Sequence, residues 1–148
     1  MWQHRLLGAV VIAAMVGAFW LEPIPQDLAY HEFADQRALL GIPNFWNVAT
    51  NAPFLIVGLL GLTSLSRLPG TALCLPCIVF CVGVALVSFG SAHYHRVPSN
   101  ATLVWDRLPM TVAFMALFSA VIQDRVSEQL GRVLLWPLVI AGIASIAW

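Results

Sequence analysis

The sequence is poor in charge and contains no lysine. Seven arginines balance seven acidic residues, and charged residues make up only 9% of the 148-residue chain. Soluble domains carry roughly a quarter charged residues, so this composition is not typical of one. The zero net charge gives no indication of nucleic-acid binding. Because 60% of the residues are hydrophobic, the composition instead predicts an integral membrane protein.

Cysteine is also scarce. The chain has three, all within one apolar run: Cys74, Cys77 and Cys81. A Cys-x-x-Cys pair can bind a metal or carry redox chemistry. No second pair is present and the neighbouring residues are apolar, so the pattern favours small thiols that pack between helices.

Five long apolar runs predict the fold. They cover residues 6–21, 45–65, 72–92, 103–122 and 133–148. A membrane-spanning helix needs roughly 20 apolar residues, and the three middle runs meet that length. The first run is short enough for the core of a signal peptide, but bulky Phe19 and Trp20 near its end favour an uncleaved helix. The sequence thus predicts one all-α domain over residues 1–148, a polytopic transmembrane bundle of about five helices.

A dense polar segment, Tyr30–Arg37, separates the first two runs. His31 and Asp35 are four residues apart, as are Glu32 and Gln36, so each pair would share one face of a helix. Carboxylate and amide oxygens suit a hard cation such as calcium. A solvated amphipathic turn on the membrane surface explains the same spacing, and the spacing alone favours the turn. We predict that this segment folds over the mouth of the bundle as a lid or ion site, with Asp35 as the ligand.

Three asparagines follow at helical spacing. Asn44, Asn47 and Asn51 form one stripe, which in a membrane should face other helices because an unmet amide in lipid is costly. The stripe is typical of helix–helix packing and equally of residues that brace a site.

A serine, a histidine and an aspartate gather where the third and fourth runs meet. Ser91 and His95 are four residues apart and share a helical face, and Asp106 follows across a short polar break. A histidine at a membrane edge is usually a capping or interfacial residue. Neutral imidazole is also a common zinc ligand, and a nearby serine or aspartate can position or deprotonate a water molecule. We predict that the side chains of His95 and Asp106 face inward together.

Three motifs resemble one known family. They are Gly-Ser-Ala-His-Tyr-His at residues 90–95, Asp-Arg-Leu-Pro-Met at 106–110 and Phe-Trp-Asn-Val-Ala-Thr-Asn at 45–51. In their order and spacing along the chain they resemble the alkaline ceramidases. That family belongs to a superfamily of seven-helix membrane hydrolases that includes the adiponectin-type receptors. The resemblance covers about residues 30–115. The Tyr-His-x-Phe-Ala-Asp motif is similar to that of the bacterial branch of the family. This similarity implies that the protein lies in a bacterial inner membrane.

The resemblance implies a role for each matching residue. His95 matches the zinc-binding histidine, Ser91 the serine that helps to stabilise the oxyanion, and Asp106 the aspartate that takes the proton of the attacking water. The implied reaction is hydrolysis of a ceramide-like lipid to a sphingoid base and a fatty acid. The family also binds calcium through acidic residues before the Phe-Trp-Asn helix. Asp35 and Glu32 are the candidate calcium ligands here, although the family's Asp-Trp-x-Glu motif is absent.

The chain departs from the family pattern towards its C-terminus. Family members complete the zinc site with a late His-x-x-x-His, whereas no histidine follows His95 here. A catalytic zinc usually has three protein ligands. We therefore expect a chain that lacks the last helices of a seven-helix-type bundle and is incomplete or inactive by itself. The alternative is a non-catalytic multi-helix membrane protein, receptor-like or structural.

Overall fold

The structure, a computed structural model, describes residues 2–20, 22, 25–67 and 74–146. Within these ranges the regular elements are α-helices and one short 3-10 helix, which confirms the all-α prediction. In chain order they are α1 (Trp2–Trp20), the 3-10 helix (Leu28–His31), α2 (Phe45–Ala49), α3 (Ala52–Leu65), α4 (Cys74–Arg96), α5 (Asn100–Arg125) and α6 (Glu128–Ile146). Leu21, residues 72–73 of the third predicted run and residues 147–148 of the fifth lie outside the described part.

Four stretches of the described chain are long and apolar enough to cross a membrane. They are Phe45–Leu65, which combines α2 and α3, then Leu75–Arg96, Asn100–Arg125 and Glu128–Ile146. These correspond to the second to fifth predicted runs. The first run forms α1, a helix as predicted, but α1 is not one of these four. Large apolar side chains such as Leu60, Phe118 and Ile140 are exposed on the outer helix faces, as expected where lipid is the solvent.

Helices α3 to α6 pack against one another in chain order. α4 contacts α3 on one side and α5 on the other, α5 also packs against α6, and α2 touches α4. Cys81 of α4 is buried, and a β-carbon added at Gly61 of α3 would lie 2.5 Å from its Sγ. Cys81 therefore packs between helices as the sequence predicts. The side chain of Cys74 lies outside the described part.

Two glycines on α4 let the backbone of α5 approach closely. A β-carbon added at Gly83 would lie 2.9 Å from the backbone nitrogen of Ala113, and one added at Gly90 would lie 2.0 Å from the carbonyl oxygen of Trp105. Pro109 has no N–H and so cannot donate the usual helical hydrogen bond to that carbonyl. The contact of Gly90 with Trp105 thus brings α4 and α5 together one residue from Ser91 and one residue from Asp106.

The turn between α4 and α5 is short and well hydrogen-bonded. Ser99 caps α5, its Oγ accepting a hydrogen bond from the backbone nitrogen of Thr102 at 3.2 Å. The Thr102 hydroxyl donates to the carbonyl oxygen of Val97 at 2.6 Å. This antiparallel turn puts the C-terminal end of α4 and the first turns of α5 at the same level of the molecule.

Candidate functional site

One cavity of about 660 Å³ lies between α3, α4 and α5. Its size is within the usual range for small-molecule sites. Ser91, His95 and Asp106, the three residues singled out at the α4–α5 junction, all line it. The structure therefore brings them together on one surface. The other lining residues are Asn51, Pro53, Phe54, Val57, Phe80, Val84, Val87, Met110, Ala113 and Phe114.

The cavity has a polar end and a long apolar part. Asn51, Ser91, His95 and Asp106 come from the ends of helices that meet at one level. The apolar residues follow along the same helices towards Phe80. At 1.5 Å per residue, the stretch of α4 from Phe80 to His95 is about 22 Å long. The cavity can therefore hold a molecule with one polar group and a long hydrocarbon chain.

His95 is half-buried at the polar end, and its Nδ1 is buried without a hydrogen-bond partner among the described residues. Leaving a buried polar atom unpaired normally costs about 1–3 kcal/mol, so such an atom points to a missing ligand. The carbonyl oxygen of His95 accepts a hydrogen bond from Asn44 Nδ2 at 2.8 Å. His93, two residues earlier, is exposed and does not line the cavity.

The asparagine stripe braces the polar end. In addition to the contact of Asn44 with His95, Asn47 Nδ2 donates to the carbonyl oxygen of Asp35 at 2.7 Å. Asn51 is buried, lines the cavity and donates to the carbonyl oxygen of Asn47 at 2.7 Å. These contacts fit both interpretations that the sequence leaves open, because Asn44 joins the start of α2 to α4 and Asn51 lines the cavity.

The polar segment before α2 lies over this end of the bundle, as predicted. The ring of Phe33 packs against the rings of His95 and Tyr94, with centroids 4.7 Å and 5.7 Å away. His31 Nδ1 lies 2.9 Å from the hydroxyl of Tyr94, and His31 Nε2 lies 2.8 Å from Asn100 Oδ1.

Phe33, Tyr94 and Asn100 have no role predicted from the sequence. The available signal is the spacing of His31 and Phe33, because residues two apart in extended backbone lie on the same face.

His31 and Asp35 do not share a helical face, which the spacing allowed. The 3-10 helix begins after Asp27, whose carboxylate accepts from the backbone nitrogen of Ala29 at 2.9 Å, and it ends at His31. Asp35 lies beyond it and turns towards Arg37. These local side-chain hydrogen bonds compete with a continuous helix.

Asp35 forms an ion pair with Arg37. Arg37 Nε donates to Asp35 Oδ1 at 2.9 Å, Nη2 donates to Oδ2 at 2.6 Å, and the backbone nitrogen donates to Oδ1 at 3.0 Å. The side-chain hydrogen bond from Arg37, followed by the backbone one, lowers the pKa of Asp35 to about 2. Both carboxylate oxygens are thus already engaged.

The described residues supply few metal ligands. Over these ranges, no group of three or more His, Cys, Asp or Glu side chains could hold a metal ion. For zinc, the unpaired Nδ1 makes His95 suitable as one ligand, and Asp106 lines the same cavity. Further ligands are needed to reach the three protein ligands of a usual catalytic site. For calcium, Asp35 is engaged by Arg37.

The fold and the cavity together define a class: an apolar helical protein with a histidine–aspartate site at one end of a hydrocarbon-lined cavity. A family model described as Ceramidase matches residues 39–148, which is most of the chain. The protein belongs to this ceramidase family. No curated protein and no solved structure matches the chain. The matched range contains the asparagine stripe, Ser91, His95 and Asp106, and it begins after the segment that carries His31 and Phe33.

Proposed function

We propose that this protein is a ceramidase-like membrane hydrolase, acting on the amide bond of a ceramide-like lipid. Water adds to the carbonyl carbon, the C–N bond breaks, and a fatty acid and a sphingoid base result. The observation that carries the proposal is that Ser91, His95 and Asp106 line one apolar cavity in a chain that matches the ceramidase family.

The shape of the cavity supports a lipid substrate. With its amide at the polar end, a ceramide would place one hydrocarbon chain along Val84, Phe80 and the facing surface of α5. Because the chain would come from the bilayer, it gains packing contacts with these side chains rather than the free energy of leaving water. The same cavity would bind a small polar amide poorly, because most of its wall offers no hydrogen bonds.

The residues at the polar end have complementary roles in this proposal. The carboxylate of Asp106 accepts a proton from the attacking water and returns it to the leaving nitrogen, which departs as the amine. The hydroxyl of Ser91 donates a hydrogen bond to the amide oxygen, where negative charge develops. His95 lines the same cavity and offers an unpaired nitrogen.

We further propose zinc as the metal of this site, with His95 as one ligand. When bound, zinc supplies a Lewis acid for a carbonyl oxygen or a water molecule. Because the described residues do not form a cluster of three ligands, we propose that the 148-residue chain alone is incomplete as a zinc enzyme. The remaining ligands must be supplied before turnover.

Calcium at Asp35 is a separate proposal. A partly exposed carboxylate close to the site is its support, and the ion pair with Arg37 is its competitor. Calcium binding would require the carboxylate to exchange the guanidinium for the cation.

The four apolar helices indicate a membrane protein, and we propose the bacterial inner membrane as its location. Bundles of apolar helices are one of the two structures that can span a bilayer, and outer membranes carry mainly the other, the closed β-barrel.

Photo-crosslinking tests the substrate class without requiring turnover. A ceramide with a photoreactive acyl chain should label Phe54, Val57 or Phe114 in detergent micelles. Unlabelled ceramide should compete, and a phosphatidylcholine with the same acyl chain should compete much less. Labelling outside the cavity, or equal competition by both lipids, would contradict a ceramide-like substrate.

A further inference from the structure

We propose that His31 and Phe33 are positioning residues that hold the imidazole of His95 and shield it from water. They lie on a strap, which we define as residues 28–37, before the range matched by the family model. The proposal deepens the proposed function, because His95 belongs to that site. Its geometry and its test depend on neither a substrate nor a metal.

Phe33 is the residue of the strap that touches the site. Its half-buried ring lies with its centroid 4.7 Å from that of His95, at an interplanar angle of 52°. The same ring meets Tyr94 edge-on at 5.7 Å. An aromatic ring packed in this way covers the imidazole with apolar surface and restricts its rotation. Consistent with this cover, His95 Nδ1 is buried although His95 is only one residue from the end of α4.

His31 fastens the strap to two different helices. Its Nδ1 lies 2.9 Å from the hydroxyl of Tyr94, which is 1% exposed on α4, and its Nε2 lies 2.8 Å from Asn100 Oδ1 at the start of α5. In the neutral tautomer that fits, Tyr94 donates to Nδ1 and Nε2–H donates to Asn100. One side chain thus links the strap to both helices that carry the site.

The other side of the strap is fastened through the asparagine stripe. Asn47 donates to the carbonyl oxygen of Asp35, two residues after Phe33. Asn44 donates to the carbonyl oxygen of His95 itself. The backbone on both sides of Phe33 is therefore held, through His31 before it and Asp35 after it.

If the strap did not shield His95, loosening it would leave the accessibility of His95 unchanged. Histidine-selective acylation at a fixed pH, followed by peptide mapping, measures that accessibility in the intact chain. The exposed His93 serves as an internal reference in every sample. The variants are Phe33→Ala and His31→Ala, and the matched control is Leu28→Ala, because Leu28 is 71% exposed on the same 3-10 helix.

We expect His95 to react slowly in the wild type and about tenfold faster in Phe33→Ala, a change worth roughly 1.4 kcal/mol of opening. His31→Ala should give a smaller increase, and Leu28→Ala none. The conservative variants should restore protection: Phe33→Tyr keeps a ring, and His31→Gln keeps a donor and an acceptor. Equal reactivity of His95 in all variants would overturn the proposal, as would an increase that His31→Gln and Phe33→Tyr do not reverse.

Alkylation of the buried thiol of Cys81 reports unfolding in the same samples. If Phe33→Ala also exposes Cys81, the Phe33→Leu variant is used in its place, since leucine keeps apolar volume without the ring. Faster acylation of His95 in Phe33→Leu then supports the proposal, and unchanged acylation overturns it. Because the assay uses neither lipid nor zinc, a failure of ceramide hydrolysis leaves this result intact. Conversely, a failure here leaves the proposed reaction standing.

Discussion

The α-carbon of Gly90 faces the carbonyl oxygen of Trp105 so closely that an added β-carbon would lie 2.0 Å from it. Both partners of this contact are backbone, so neither can rotate away. We predict that Gly90→Ala destabilises the protein by about 1–3 kcal/mol, the usual cost of overpacking. The measurement is thermal or denaturant unfolding in detergent micelles.

Gly8→Ala is the matched control, because a β-carbon at Gly8 of α1 would meet nothing within 4 Å. That substitution should be neutral or stabilising by up to about 1 kcal/mol, as for glycine in an open helix. If the two substitutions have equal effects, the close approach of α4 and α5 is not as described.

Asp106→Asn should remove most of the amide hydrolysis that we propose while leaving the fold intact. Asparagine keeps the shape of the side chain but cannot accept the proton of water, so we expect a loss of about 10²–10⁴-fold in turnover. Because we propose that the chain alone lacks zinc ligands, the comparison uses a version with an added helix that carries a His-x-x-x-His pair. Fatty-acid release from ceramide is the readout. Asp124→Asn, at an exposed carboxylate paired with Arg125, is the control and should keep full activity.

Zinc content should depend on His95 and not on His93. We predict that the 148-residue chain retains less than one equivalent of zinc after dialysis, because its described residues form no three-ligand cluster. The version with the added histidine pair should retain a full equivalent, and His95→Ala should abolish it. His93→Ala should change nothing, since His93 is exposed away from the cavity. One equivalent of zinc in the 148-residue chain would contradict the ligand count.

The ion pair of Asp35 and Arg37 predicts a pH effect in the acid range. The pKa of Asp35 is about 2 in the folded protein, below the ordinary value near 3.9. A lowered carboxyl pKa contributes stability that is present above pH 4 and is lost as the pH falls towards 2. Because the pair is exposed, this contribution is small. Arg37→Gln should return the pKa of Asp35 towards its ordinary value in an NMR titration. An unchanged titration would show that Arg37 does not hold the carboxylate.

Calcium should compete with Arg37 if Asp35 is a calcium ligand. The Arg37→Gln variant frees the carboxylate, so calcium should raise its melting temperature more than that of the wild type. Asp35→Asn should show no calcium response. The same small response in all three proteins would remove Asp35 as a calcium site.

The sequence by itself determined the helices and the chemistry available to the site. Runs of about 20 apolar residues form helices in a membrane because the backbone must satisfy its own hydrogen bonds there. That rule is local and needs no tertiary information. Ser91 and His95 share a face because they are one helical turn apart, and a short turn capped by Ser99 brings Asp106 to the same level.

The tertiary structure decided which polar groups meet. The contacts of His31 with Tyr94 and Asn100 join residues 63 and 69 positions apart, and the contact of Asn44 with His95 joins residues 51 apart. Such pairs depend on the path of the loop, which no helical period specifies. The spacing of His31 and Asp35 allowed a shared helical face, but the 3-10 helix ends at His31 and Arg37 takes the carboxylate. The sequence therefore fixes the groups that can react, while the packing of the strap against α4 and α5 decides how His95 is held.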